Sequence, residues 1–397
     1  MVLLLIVYLA FISLGLPDSL IGSAWPVMHG ELGVPVSYAG VITMIIAGGT
    51  IVSSLFSSKL IHKLGTGLVT ALSVLLTAIA LFGFSISHSF LALCLWAVPY
   101  GLGAGAVDAA LNNFVALHFV SRHMNWLHCF WGVGASISPY IMSYCLTGGY
   151  GWSSGYRVVS ILQIALTAVL FFSLPMWKRK EARHREEAAS TKALKLRQVL
   201  KIPGVPLILV TFFGYCALEQ TAALWASSYL VQYRQIDAEL AASFASLFFL
   251  GITIGRFLCG FISERLGDRR LIRIGLAVAT MGIVMVLLSI ELDALALAGL
   301  LVIGVGCAPI YPCVIHATPF NFGKENSQSV IGVQMASAYV GTTFVPPLFG
   351  LIASSVSIGW YPAFLLLLAA LVFVMSEWLN RIVAKRAAAP AESPAGV

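Results

Sequence analysis

The chain has 397 residues, 59% of them hydrophobic and 10% charged, with a mean hydropathy of +0.93. Soluble domains carry roughly 25% charged residues, so this composition excludes a water-soluble globule and indicates a polytopic membrane protein. The net charge of +7 does not point to nucleic acid, because it hugs the ends of apolar runs, where it orients the chain and meets anionic lipid.

A hydrocarbon core of about 30 Å needs about 20 apolar residues per helix. In chain order the pattern predicts spans over 2–27, 38–60, 67–87, 90–117, 124–147 and 155–176. A polar stretch follows, and then spans over 206–232, 241–263, 271–290, 294–316, 327–353 and 358–380. The first apolar run lacks a basic leader and a small-residue cleavage site, so it is expected to be retained as a span. The expected organisation is a bundle over 1–176, a linker over 177–205, a second bundle over 206–381 and a disordered tail over 382–397.

Lys59, Lys63, Arg122, the nine basic residues between Lys178 and Lys201, Arg265, Arg269, Arg270, Arg273, Lys324, Arg381, Lys385 and Arg386 all fall on one side of this alternation. The other side holds Arg157 and Arg234, both at span edges. The positive-inside rule therefore predicts cytoplasmic termini and a cytoplasmic linker in a multi-pass protein of the plasma (cell inner) membrane. The seven cysteines lie in apolar runs without paired spacing and read as free buried thiols.

The halves repeat at a nearly constant separation. Gly49 pairs with Gly251, Leu64-Gly65 with Leu266-Gly267, Gly101-x-Gly103 with Gly304-x-Gly306, Gly134…Pro139 with Gly341…Pro346, and Trp25 with Trp225. The fold class is accordingly all-α, twelve transmembrane helices in two pseudo-symmetric six-helix bundles. Parallel repeats of this kind imply a mid-depth cavity opened alternately to each side.

Three carboxylates lie deep within spans: Asp18, Asp108 and Glu219. A charge there costs about 2.5 kcal/mol or more, so each should face a partner or a water-filled cavity. Burial disfavours the charged form of a carboxylate, which suits such groups to bind and release a proton; sodium ligation and a structural hydrogen bond are the alternatives. Asn112 lies one turn after Asp108 on the same face, with His128 and Trp131 opening the next span. Pro17 weakens span 1 beside Asp18, and a broken helix is tolerated only against protein or water. Trp25 in span 1, and Glu219, Gln220 and Trp225 in span 7, flank this cluster with indoles able to stack on a ring-shaped polar ligand. Tyr311 occupies the repeat position of Asp108, and Gln334 and His316 are further polar candidates. No phosphate loop, nucleophile elbow or metal spacing occurs, so neither a cofactor, a metal nor an enzyme is expected.

The loop Gly260-Phe-Ile-Ser-Glu264-Arg265-Leu-Gly267-Asp-Arg269-Arg270 resembles the G-x-x-x-D-R-x-G-R-R loop of the major facilitator superfamily. The resemblance implies the major facilitator fold, with Glu264 latching a helix N-terminus and a neighbouring arginine. The first-half equivalent, Ser58 to Gly65, keeps the basic residue and glycine but lacks the acid. Asp108-Ala-Ala-Leu-Asn112 and Met124-Asn-Trp-Leu-His128 resemble stretches of the fucose:proton symporter family, with Asp for Glu and His for Gln. That resemblance implies that Asp18 and Asp108 handle proton and sugar, and that His128 contacts sugar hydroxyls. The expected function is import of a small polar solute, a hexose-like sugar, by proton symport, acting as a monomer. A proton-driven exporter of amphipathic compounds and a non-transporting membrane sensor are the alternatives.

Overall fold

The structure is a computed structural model that describes residues 2–185, 194–236, 238–288 and 293–388. It contains only helices and turns among those residues, arranged as twelve spans. Span 1 is Val2–Asp18 continued by Leu20–Glu31, and spans 2 to 6 are Ala39–Leu64, Thr66–Ser85, Phe90–His118, Ser121–Thr147 and Gly151–Arg185. Spans 7 to 9 are Val205–Gln232, Ala238–Leu266 and Asp268–Leu288. Span 10 is broken into Asp293–Cys307 and Ile310–His316, and spans 11 and 12 are Lys324–Ser355 and Tyr361–Ala388.

Eleven of these helices are apolar enough to cross a membrane. The twelfth, span 5, is long enough at 27 residues but carries Arg122, His123, Asn125 and His128 within its first turns. Its polarity has a physical reason: it packs against span 1 on one side and span 8 of the other bundle on the other, so little of its first half meets lipid.

Span 1 breaks where Pro17 leads one to expect, and span 10, expected as one run over 294–316, is broken as well. Span 1 loosens at Ser19, just after Pro17 and Asp18. Span 10 breaks at Ala308-Pro309, because Pro309 and Pro312 lack the N–H groups a continuous helix would use.

The sequence repeats become superposable contacts. In the first bundle a Cβ on Gly101 would lie 2.2 Å from the Ile46 carbonyl oxygen of span 2; in the second, one on Gly304 would lie 2.1 Å from the Phe248 oxygen of span 8. Likewise Gly134 meets span 1 at Ile12, and Gly341 meets span 7 at Phe213. Both halves therefore cross the same pairs of helices at backbone contact, which only glycine allows. Gly65 and Gly267 also take the same left-handed φ, 80° and 75°, between their second and third helices.

Several boundaries differ from expectation. Span 6 does not stop at 176 but runs to Arg185, and the linker contains a further helix, Leu196–Lys201; residues 186–193 lie outside the described residues. The reason is packing: Trp177 is 1% exposed and fills the notch left by Gly67. Trp152 is also buried, with its indole N–H donating to Glu31 Oε2 at 2.7 Å. Span 12 continues to Ala388 through part of the expected tail, and 389–397 lie outside the described residues.

The two bundles touch through spans 2 and 11 and through spans 5 and 8, and only along one half of their length. Ser58 and Ser329 hydroxyls lie 2.9 Å apart. Asn113 donates to Gln328 at 2.6 Å and accepts from Ser327 at 2.8 Å. These bonds lie at the end that carries the linker. Ser121–Asp268, Trp126–Phe257 and His316–Phe119 also join the bundles there; further toward the far end than Cys129–Thr253 and Asp108–Tyr339, no hydrogen bond between the bundles occurs among the described residues. The bundles are thus joined at the linker end and not by hydrogen bonds toward the far end, where Asp18 is exposed; the space between them there is the candidate cleft.

Candidate functional site

The floor of the cleft is built from spans 1, 4 and 5 on one side and spans 7, 8, 10 and 11 on the other. Asp18, freed at the break in span 1, is exposed to the cleft. Its Oδ1 accepts from the Tyr100 hydroxyl at 3.0 Å and its Oδ2 from Trp131 Nε1 at 2.9 Å. A carboxylate aimed at lipid would find no such donors.

Asp108 is buried and bridges the bundles. Asn112, one turn on, donates to Asp108 Oδ1 at 2.7 Å, and Tyr339 of span 11 donates to Oδ2 at 2.8 Å. His128 Nε2 donates to Asn112 Oδ1 at 3.0 Å, and its ring meets Tyr311 edge-on at 4.6 Å between centroids. Asp108, Asn112, His128, Tyr311 and Tyr339 thus form one connected polar and aromatic group across the bundle interface.

Glu219 lies opposite, in span 7. The break in span 10 leaves the Cys307 carbonyl without a partner inside its own helix. The Tyr215 hydroxyl meets that oxygen at 2.8 Å and also contacts Glu219 Oε2. Arg256 of span 8 approaches Glu219 Oε1 at 3.4 Å, with its side chain 4% exposed. The guanidinium also sits over the Trp131 ring of the first bundle, 5.9 Å from its centroid.

Arg256 is the residue that reading the sequence missed. It lay unassigned inside the expected span 241–263, while the other lysines and arginines fall in joints or near span ends. An arginine in mid-span carries the same desolvation cost as the three acids, so the signal was present.

Four expected residues fall elsewhere. Trp25 is buried in the apolar core of the first bundle among Leu20, Ala24 and Met28. Trp225 commits its N–H to the Pro346 carbonyl at 2.9 Å and its ring to Gly350 and Phe349. Gln334 is fully buried and accepts from Thr318 at 3.0 Å within the second bundle. Gln220 is exposed, a helical step of about 100° away from Glu219. Each is polar or aromatic in a span, a property that periodicity alone cannot divide between cleft and core.

At the linker end Glu264 pairs with Arg122 of the other bundle at 2.7 Å. Asp268 accepts from Ser121 at 2.6 Å and meets His316 Nδ1 at 2.6 Å, while His316 Nε2 reaches the Phe119 carbonyl at 3.2 Å. Gly260 accommodates Trp126, whose indole a Cβ there would strike at 2.1 Å. Arg269 lies over the Phe320 ring at 5.5 Å, and Arg265 is exposed. The acid absent from the first-half loop is supplied from span 6: Glu181 Oε1 accepts from the Thr66 N–H at 2.9 Å.

A family profile described as Major Facilitator Superfamily matches residues 7–288 and again 208–396. The glucose/mannose transporter GlcP of Bacillus subtilis is 23% identical, over 76% of this chain and 75% of its own. Bypass of stop codon protein 6 of Saccharomyces cerevisiae is 23% identical over 93% of this chain and 80% of its own. Among solved structures, the transporter FucP in the outward conformation has a TM-score of 0.77 at 15% identity, covering 96% of this chain and 99% of FucP. The proton:xylose symporter XylE has a TM-score of 0.76 at 12% identity, covering 96% and 95%.

Proposed function

This chain belongs to the major facilitator superfamily, and on that premise we propose that it imports a hexose-like sugar by proton symport through alternating access. The observation that carries this reading is the convergence of Asp18, Asp108 and Glu219 on one cleft between the bundles, each held by hydrogen-bond donors. Names of similar proteins support the substrate class: a glucose/mannose transporter in sequence, and fucose and xylose symporters in fold. The charge bias of the loops supports a cytoplasmic linker end; in this reading the cleft is outward-facing and the latch at Arg122–Glu264 is an inner gate.

In this reading the proton removes a buried charge before the loaded cleft closes. With Asp108 ionised, Tyr339 is tied to it across the interface and Asn112 along span 4. Protonation weakens these charge-assisted bonds and frees span 11 to move against span 4. Asp18, exposed and flanked by Tyr100 and Trp131, is placed to accept sugar hydroxyls, with the Trp131 face offered to the ring. His128 acts through Asn112, fixing the amide that orients Asp108.

The test is uptake of labelled hexose into proteoliposomes under an inward proton gradient. Asp108→Asn is expected to abolish accumulation above equilibrium while leaving exchange of sugar across the membrane. Undiminished accumulation by that variant would remove Asp108 from coupling. Replacing the proton gradient by a sodium gradient identifies the coupling ion, and extrusion of an amphipathic dye in place of sugar uptake would instead identify an exporter.

A further inference from the structure

Arg256 has no place in a neutral-sugar site. Its side chain is 4% exposed, its Nε has no hydrogen-bond partner, and its ion pair to Glu219 is long at 3.4 Å. Guanidinium groups in low dielectric are ordinarily held by short, forked bonds to a carboxylate. Here Nε is left over, and the guanidinium lies against Trp131 of the other bundle.

The groups around it do not complete the fork. The Tyr215 hydroxyl reaches both the Cys307 carbonyl and Glu219 Oε2, and Glu219 offers Arg256 one oxygen, at 3.4 Å, rather than two. A second carboxylate would supply the short, paired bonds that this guanidinium lacks.

We propose that Arg256 is a binding site for a carboxylate on the transported solute, so that the substrate is a sugar acid (a hexuronate or aldonate) taken up when Glu219 is protonated. The proposal rests on the transporter reading and narrows its substrate class. On the outward side Glu219 holds a proton and Arg256 takes the solute carboxylate, with Trp131 beneath the guanidinium. When Glu219 releases the proton on the other side, its carboxylate reclaims Arg256 and expels the anion. One anion and one proton therefore travel together. The other titratable groups facing the pair are Cys216 on span 7, Cys307 and Tyr311 on span 10, and Cys129, His128 and Asp108 from the first bundle. A variant at Glu219 itself is therefore needed to assign any pH effect.

Binding of D-glucuronate and D-glucose to the purified full-length protein would be measured by calorimetry at pH 5.5 and pH 8; a sugar carboxyl with a pKa of about 3.5 is ionised at both. Glucuronate is expected to bind more tightly at the lower pH. Arg256→Gln should weaken it about thirtyfold or more, with Arg256→Lys intermediate because the ammonium keeps the charge but loses the fork. Glu219→Gln should bind glucuronate equally at both pH values, which keeps the test open if the arginine variants fail to fold. Failure of glucuronate to bind, an unchanged dissociation constant in the Arg256 variants, or persistent pH dependence in Glu219→Gln would overturn the proposal. Proton-driven accumulation of glucose with no glucuronate binding would overturn it and leave the symport reading intact. Glucuronate binding lost with Arg256, without proton-driven accumulation of either sugar, would do the reverse.

Discussion

At position 225 the indole gives its N–H to Pro346 and its face to Gly350 and Phe349. It therefore holds span 7 to span 11. Trp225→Ala should lower stability by about 3–5 kcal/mol, read as a fall in melting temperature in detergent, with sugar affinity in the folded fraction unchanged. A weakened affinity without loss of stability would return Trp225 to the binding site. The sequence showed which residues lipid would not tolerate, and it therefore led directly to Asp18, Asp108 and Glu219. It could not show which donors answer them. Tyr100, Tyr215 and Tyr339 are ordinary membrane-helix residues by composition, and only the crossing of helices brings their hydroxyls to the acids. The same limit explains Trp25 and Gln334, whose orientation within a span follows from packing rather than from spacing.

At the level of elements, the loops after spans 2 and 8 do related work with different parts. In the second half Glu264 reaches across to Arg122, both side chains about 40% exposed. A pair so open to water is worth about 0.2–1 kcal/mol, enough to bias a gate without locking it. Arg122→Glu or Glu264→Arg alone should raise the inward-open population up to about fivefold, measured by spin-label distances across the linker end. The double exchange should restore the original distribution; failure to restore it would show that the two side chains do not act as a pair. This latch was legible because its loop has a recognisable pattern. The first-half counterpart was not, because its acid comes from Glu181, beyond the expected end of span 6. Helix ends are set by what packs against them, and Trp177 against Gly67 extends this one further than hydropathy indicates.

For the whole molecule, the number, order and pairing of the spans were written in the sequence because a bilayer leaves the backbone few choices. Glycines repeated between halves mark the helix crossings. Which end is shut was not written there, since one sequence must serve both openings. Here the linker end is closed, with the Ser58 and Ser329 hydroxyls 2.9 Å apart. Replacing both by cysteine and oxidising should join the bundles and halt transport, and reduction should restore it. The seven native cysteines are unpaired, so they would be replaced first. Full activity of the cross-linked form would mean that the contact between spans 2 and 11 need not open.

The bond from Glu181 to the Thr66 amide has a bearing on how this molecule could have arisen and could be taken apart. A duplicated ancestor would hold the same anchor in each copy, yet here the leading copy draws its anchor from the stalk that joins the two. Separating them before Glu181 would strip that copy of its fastening, whereas a division after it would leave the fastening whole; the trailing copy would lose Arg122, the partner of its Glu264, by either cut.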